Sequence, residues 1–127
     1  MQVRMNLLII IGVLVVVDAR RYSSKHDNID IDRLVRSPLY MEESAACYLD
    51  RRPCSKMTAT LKRAIPEIVN LACGKCTPAQ KYILRRYLEE LKKQRPEDYA
   101  AFRHKYDPDN VYFVDLEAAI SVNKTDI

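Results

Sequence analysis

Glycine is almost missing from this chain, with Gly12 and Gly74 the only two, and tryptophan is absent altogether. Two glycines leave no material for a glycine-rich phosphate loop. No long alternation of apolar and polar residues occurs either, so strands have no signal and the chain reads as all-α. Histidine is as scarce. His26 lies in a polar stretch, and His104 falls in the last turn of an expected helix, where an imidazole complements the helix dipole. There is no H-x-x-x-H, no G-x-S-x-G and no metal-spaced carboxylate cluster. Neither a catalytic triad nor a metal or cofactor site has support, and nothing in the residues argues for an enzyme.

A long apolar run occurs once, from Leu7 to Val17, behind the positive charge of Arg4. It is about half the ~20 residues that span a bilayer. Val17-Asp18-Ala19 places small residues where a signal peptidase cuts. Residues 1–19 are therefore expected to be a cleaved secretory signal, and residues 20–127 one domain released to the extracellular fluid. The formal charge of +4 is mild and its signs are interspersed, unlike the single basic face of a nucleic-acid binder. Lys81, Arg85, Arg86, Lys92 and Lys93 do gather near one helix. Glu89 and Glu90 interrupt them, which suits a solvated face; a docking patch for an acidic partner or an anionic head group is the alternative.

Arg20 to Asn28 is polar and expected to be extended. Asp30 can cap a short helix, Ile31 to Arg36, with Leu34 and Val35 available to bury. Ser37-Pro38 is a cap followed by proline at the first helical position. The helix it opens runs to about Leu49, with Met41, Ala45, Tyr48 and Leu49 as its apolar stripe. The central helix, about Thr58 to Ala72, carries Leu61, Ala64, Ile65, Ile68 and Ala72 at helical spacing. Pro66 inside it removes a backbone donor and predicts a kink or a break. Thr77-Pro78-Ala79-Gln80 is a capping box. The helix that follows, to Lys93, presents Leu84, Tyr87, Leu88 and Leu91 on one face, with Glu89 and Lys93 spaced to pair across a turn. Pro96 opens a further helix bearing Tyr99, Phe102 and Tyr106, and Val111 to Ile120 is a last helix or a docked tail. The stripes alone do not tell a filled core from a hollow one.

All four cysteines fall between Cys47 and Cys76, spaced C-x6-C-x18-C-x2-C. Four cysteines allow three pairings, and spacing does not choose among them. The central helix holds Cys54 and Cys73 roughly 25 Å apart, at ~1.5 Å per residue, beyond the ~7 Å reach of a disulfide. Pairing neighbours, Cys47–Cys54 and Cys73–Cys76, needs only two tight loops and is the expected arrangement. Cys73-x-x-Cys76 also fits a redox motif, but the strand–helix context of a thioredoxin-like fold is missing. The longer gaps are not usual zinc spacing, and an oxidising compartment favours bridges.

Three further segments agree with this cysteine frame in order. They are Tyr22-Ser-Ser-Lys-His-Asp27-Asn-Ile-Asp30, Leu61-Lys62-Arg63-Ala64-Ile65-Pro66 and Lys105-Tyr106-Asp107-Pro108. Together they resemble the insect chemosensory proteins, also called the OS-D, pherokine or ejaculatory-bulb-specific family, from about Tyr22 to Ile120. The resemblance implies five to six amphipathic helices around an apolar channel, with two local disulfides joining neighbouring cysteines. It implies a secreted carrier of small hydrophobic ligands such as fatty acids, alcohols, esters or pheromone-like compounds, in sensory lymph or haemolymph. Such a carrier is expected to be monomeric, to use no cofactor and no nucleic acid, and to have a membrane receptor as a candidate second partner.

By position, the resemblance puts Leu61, Tyr87, Leu88 and Leu91 along the channel. It puts Tyr99 at a mouth where many members have tryptophan, and Tyr112 at a further aromatic position. Added to the helix stripes, the candidate ligand-binding residues are Leu34, Met41, Ala45, Leu61, Ile65, Ile68, Leu84, Tyr87, Leu88, Leu91 and Tyr99. His26 and Ser44 depart from tyrosines common in the family, so pocket shape is expected to be this chain's own. The other reading is an extracellular signalling or defence protein in development, reproduction or immunity, acting through a surface around Arg85 and Arg86.

Overall fold

Short polar side chains start the helices where the sequence places them. Asp30 accepts from the Arg33 amide at 3.3 Å and opens α1, Ile31–Leu34. Ser37 accepts from the Tyr40 amide at 3.2 Å and opens α2, Pro38–Tyr48. Ser55 does the same for α3, Lys56–Asn70, and the reciprocal Thr77/Gln80 capping box opens α4, Pro78–Gln94. Each cap satisfies an amide that the first turn leaves without a partner. α5, Pro96–Tyr106, begins on proline with Glu97 and Asp98 in its first turn, and α6 is Phe113–Ala119. A 3₁₀ turn, Lys124–Asp126, ends the chain. The computed structural model describes residues 21–127, and among them there is no strand. The expected signal segment, residues 1–19, lies outside the described residues.

Both expected disulfides are present, Cys47–Cys54 and Cys73–Cys76, with Cα atoms 4.9 and 5.1 Å apart. α3 does not break at Pro66 but continues to Asn70. The proline is exposed, so the carbonyl that loses its donor lies near the solvent side, where water can serve it. The turn after α3 is more strained than a glycine turn. Ala72 and Cys73 both have left-handed backbones, φ 48° and 59°, while Gly74 does not. A side chain in that region costs roughly 1–2 kcal/mol. Bonds from the Cys73 amide to the Ile68 carbonyl (2.9 Å) and from the Tyr22 amide to the Lys75 carbonyl (2.9 Å) hold the turn, as does the bridge itself.

α4 is the central element and packs against α1, α2, α5 and the final turn, while α3 packs on α2 and α5. Around its C-terminal half the core is filled by interlocked rings. Phe102 meets Tyr48 edge-on at 6.4 Å and Phe113 at 6.3 Å, and lies 4.8 Å from Tyr106. Asp107, 4 % exposed, accepts the amides of Val111, Tyr112 and Phe113 at 2.9, 3.0 and 3.0 Å and so fixes the start of α6. Burial pushes its carboxyl up, but the three donated bonds together outweigh that and leave it below the usual carboxylate range.

The two arginines on the basic edge of α4 are paired within the protein. Arg86 bonds Asp32 of α1 at 2.9 Å and also reaches Glu89 and Glu90, while Arg85 pairs with Glu89 at 3.1 Å. Glu89 thus turns back to the two arginines rather than forward to Lys93, because a guanidinium fork offers a carboxylate more donors than an ammonium does. Asp32 further accepts from Tyr82 and Lys124; its bond to Arg86, then those partners, lower its pKa to about 2.

Candidate ligand-binding site

The N-terminal half of α4 faces a different neighbourhood. Between it, α2, α3 and the segment 22–29 lies a cavity of about 370 Å³. That is near the lower end of the ~300–1,000 Å³ typical of small-molecule pockets. Leu61, Ala64 and Ile68 of α3 form one wall, and Ile83, Leu84 and Tyr87 of α4 the opposite one. Tyr40 and Tyr48 of α2 close a third side, and the cystine Cys73–Cys76 lies in the wall as well. The lining is apolar apart from a few side-chain ends.

Exposure distinguishes mouth from floor. Ser23, Lys25, His26, Thr60 and Leu61 line the cavity and are exposed, Leu61 at 37 %. Ile31, Tyr48, Ile68, Cys73, Cys76 and Tyr87 line it and are buried. The mouth therefore opens between the N-terminal segment and the start of α3.

That segment is a strap over the cavity rather than a loose tail. The Tyr22 hydroxyl donates to Glu67 at 2.7 Å, and Gln80 donates to the Ser23 carbonyl at 2.8 Å and to Asp27 at 3.1 Å. Thr77 donates to Asp27 at 2.8 Å. Gln80 thus caps its own helix and ties down the strap with the same side chain. Four of the strap residues are in a turn, Lys25 to Asn28, so the segment is less extended than its polar composition suggests.

Of the eleven expected ligand-binding residues, Leu61, Ile68, Leu84 and Tyr87 are brought together on this cavity. Ile65 and Leu88 instead border a void of only about 20 Å³, beside Phe102 and Leu116. Met41, Ala45 and Leu91 are each 1 % exposed and pack in the solid core, and Leu34 packs partly buried against it. Tyr99, expected at the mouth, lies outside both linings; its hydroxyl donates to Glu117 at 3.0 Å and Lys92 sits over its ring. Tyr112 is also away from the cavity and exposed. The mouth is formed by the strap instead, and its residues gave little warning. Tyr22 and Ile29, two apolar side chains in a polar stretch, were the available signal.

Tyrosines dominate the floor. Tyr87 meets Tyr48 edge-on at 5.6 Å and Tyr40 edge-on at 6.3 Å. Its hydroxyl shares a 2.8 Å hydrogen bond with Ser44, which also reaches the Met41 carbonyl. Ser44, where the family resemblance suggests tyrosine, is buried and bonds Tyr87 across from α4. Burial pushes the phenols of Tyr40, Tyr48 and Tyr87 up, so all three stay neutral at any physiological pH.

The chain matches the family model described as the insect pheromone-binding family, A10/OS-D, over residues 22–114. It is 33 % identical to Allergen Tha p 1 of Thaumetopoea pityocampa over 91 residues, 72 % of each chain. It is 28 % identical to ejaculatory bulb-specific protein 3 of Drosophila melanogaster over 105 residues, 83 % of each chain. Among solved structures, a chemosensory protein in complex with bromo-dodecanol aligns with a TM-score of 0.70 at 28 % identity. The alignment covers 77 % of this chain and 98 % of that one.

Proposed function

Because the chain belongs to the insect pheromone-binding family A10/OS-D, we propose that it is a secreted carrier that solubilises long-chain hydrophobic molecules in the cavity beneath the strap. The observation that carries this reading is the apolar cavity of about 370 Å³, opening to solvent at one end between the strap and α3. A related structure that holds bromo-dodecanol gives the size and chemistry of guest to try first. Burying a methylene contributes ~0.8 kcal/mol, so a chain of about a dozen carbons gains about 10 kcal/mol before ordering costs. That brings a micromolar Kd, about −8 kcal/mol, within reach. Leu61, Ile68, Leu84 and Tyr87 would contact the chain. Leu34, Met41, Ala45, Ile65, Leu88, Leu91 and Tyr99 would serve by holding the helices that surround it.

Secretion is part of the reading: cleavage after Ala19 would free residues 20–127 as the working domain. No helix among the described residues is long and apolar enough to cross a membrane.

The test is uptake of a fluorescent apolar probe by residues 20–127, with displacement by dodecanol. We expect micromolar binding. Leu84→Trp, which fills the cavity, should weaken uptake tenfold or more with helical circular dichroism retained. Unchanged uptake in a folded Leu84→Trp protein would place binding elsewhere.

A further inference from the structure

Two tyrosines on the cavity lining carry hydroxyls that bond no described residue. Tyr48 is 2 % exposed and Tyr40 half-buried, and both line the cavity. Neither hydroxyl has a hydrogen-bond partner among the described residues, whereas every other tyrosine on the lining does: Tyr22 bonds Glu67 and Tyr87 bonds Ser44. Among the described residues Arg85 Nε is the one buried side-chain polar atom without a partner, so neither phenol is sealed in; both hydroxyls keep some contact with open space and are available to a guest. Both rings are held edge-on to the same third ring, Tyr87, so the pair is fixed by packing. Both residues belong to the lining against which an aliphatic chain would rest.

We infer that Tyr40 and Tyr48 form a head-group site that selects guests ending in an uncharged oxygen acceptor, an ester, aldehyde or ketone on a long chain. This rests on the carrier reading and narrows it. A carbonyl accepts two hydrogen bonds and donates none, which matches two phenols whose hydrogens are free. A carboxylate matches less well. The one lysine on the lining, Lys25, is exposed at the mouth, and no lysine or arginine of the lining faces the floor. Burying an unpaired carboxylate there costs more than two neutral donors return. A hydrocarbon fits the walls but leaves both hydroxyls unbonded. The guest is therefore expected to enter carbonyl first and leave its chain end toward the strap.

Displacement of the fluorescent probe by dodecyl acetate, dodecanoate at neutral pH and a hydrocarbon of matched length tests this. The proteins are wild type, Tyr40→Phe, Tyr48→Phe and the double variant. Wild type should prefer the acetate over both others by tenfold or more. Each single variant should bind the acetate about three- to tenfold more weakly, the range expected for one hydrogen bond. Probe and hydrocarbon affinities should fall less than acetate affinity does. The single variants stand alone if the double variant does not fold. Acetate affinity unchanged by either substitution would overturn the head-group site, as would parallel losses for acetate, hydrocarbon and probe. So would preference for the dodecanoate. A wild-type protein that takes up no probe at all would instead overturn the carrier reading beneath it.

Discussion

The two halves of α4 carry apolar stripes of the same kind and build opposite things. From Leu88 onward the helix meets Phe102 and Leu116, and only a void of about 20 Å³ is left. Before Leu88 it meets Ala64, Thr60 and an irregular strap, and the space stays open. Helical period decides which face turns inward. What stands opposite decides whether anything is left between. Small residues on the facing helix and a strap fastened by its backbone and polar ends hold two walls apart, where a third ring would have closed them.

The largest effect that can break this contrast is a pair of truncations. Phe113, fully buried in the filled half, should cost about 3–5 kcal/mol as Phe113→Ala in urea unfolding. Leu61→Ala on the open half should cost under about 1 kcal/mol, since its side chain already borders the cavity and solvent. Equal losses would mean that the two halves are packed alike.

The disulfides sharpen it next. Each closes a short ring, and removing either pair as a double alanine variant should lower stability by about 2 kcal/mol. Only Cys73–Cys76 lies in the cavity wall. Its loss should also weaken probe binding severalfold, while loss of Cys47–Cys54 should leave the affinity of the remaining folded protein nearly intact. Matching affinity losses would dissolve the distinction.

Acid should act on both halves, through Asp32 on the open side and Asp107 on the filled one. Both carboxyls have folded pKa values below their unfolded value of ~3.9. Their contribution is therefore complete above about pH 4 and is lost as pH falls, for Asp32 down to about 2. Urea midpoints should decline below pH 4, and Asp32→Asn should flatten the decline. A midpoint that rises on acidification would contradict the sign. The smallest effect belongs to the strained turn: Ala72→Gly should gain a few tenths to about 1 kcal/mol, because glycine accepts a left-handed backbone freely. A loss of stability there would mean that the Ala72 methyl packs more than its geometry costs.

Much of the fold was legible. Ser37-Pro38 and Thr77-Pro78-Ala79-Gln80 announced two helices because capping is local chemistry, and the two short cysteine loops followed from the length of the helix between them. The site was legible only in part. Leu61, Ile68, Leu84 and Tyr87 share one cavity, but Leu88, one residue beyond Tyr87 on the same face, already belongs to the filled core. No pattern within α4 separates them, since the difference lies in residues on α5 and α6. The Arg85–Glu89 pairing was hidden for a similar reason, because Glu89 had two arginines and a lysine within a turn. The strap was least legible. Its role depends on bonds from Tyr22, Ser23 and Asp27 to partners more than forty residues away.

One side of the guest room is a sulfur–sulfur bond, and such a bond is conditional on surroundings. In an oxidising fluid the partition stands. In a glutathione-rich cell interior it can be cut, freeing the strained Ala72–Cys73 turn and the end of the strap that hangs from Lys75.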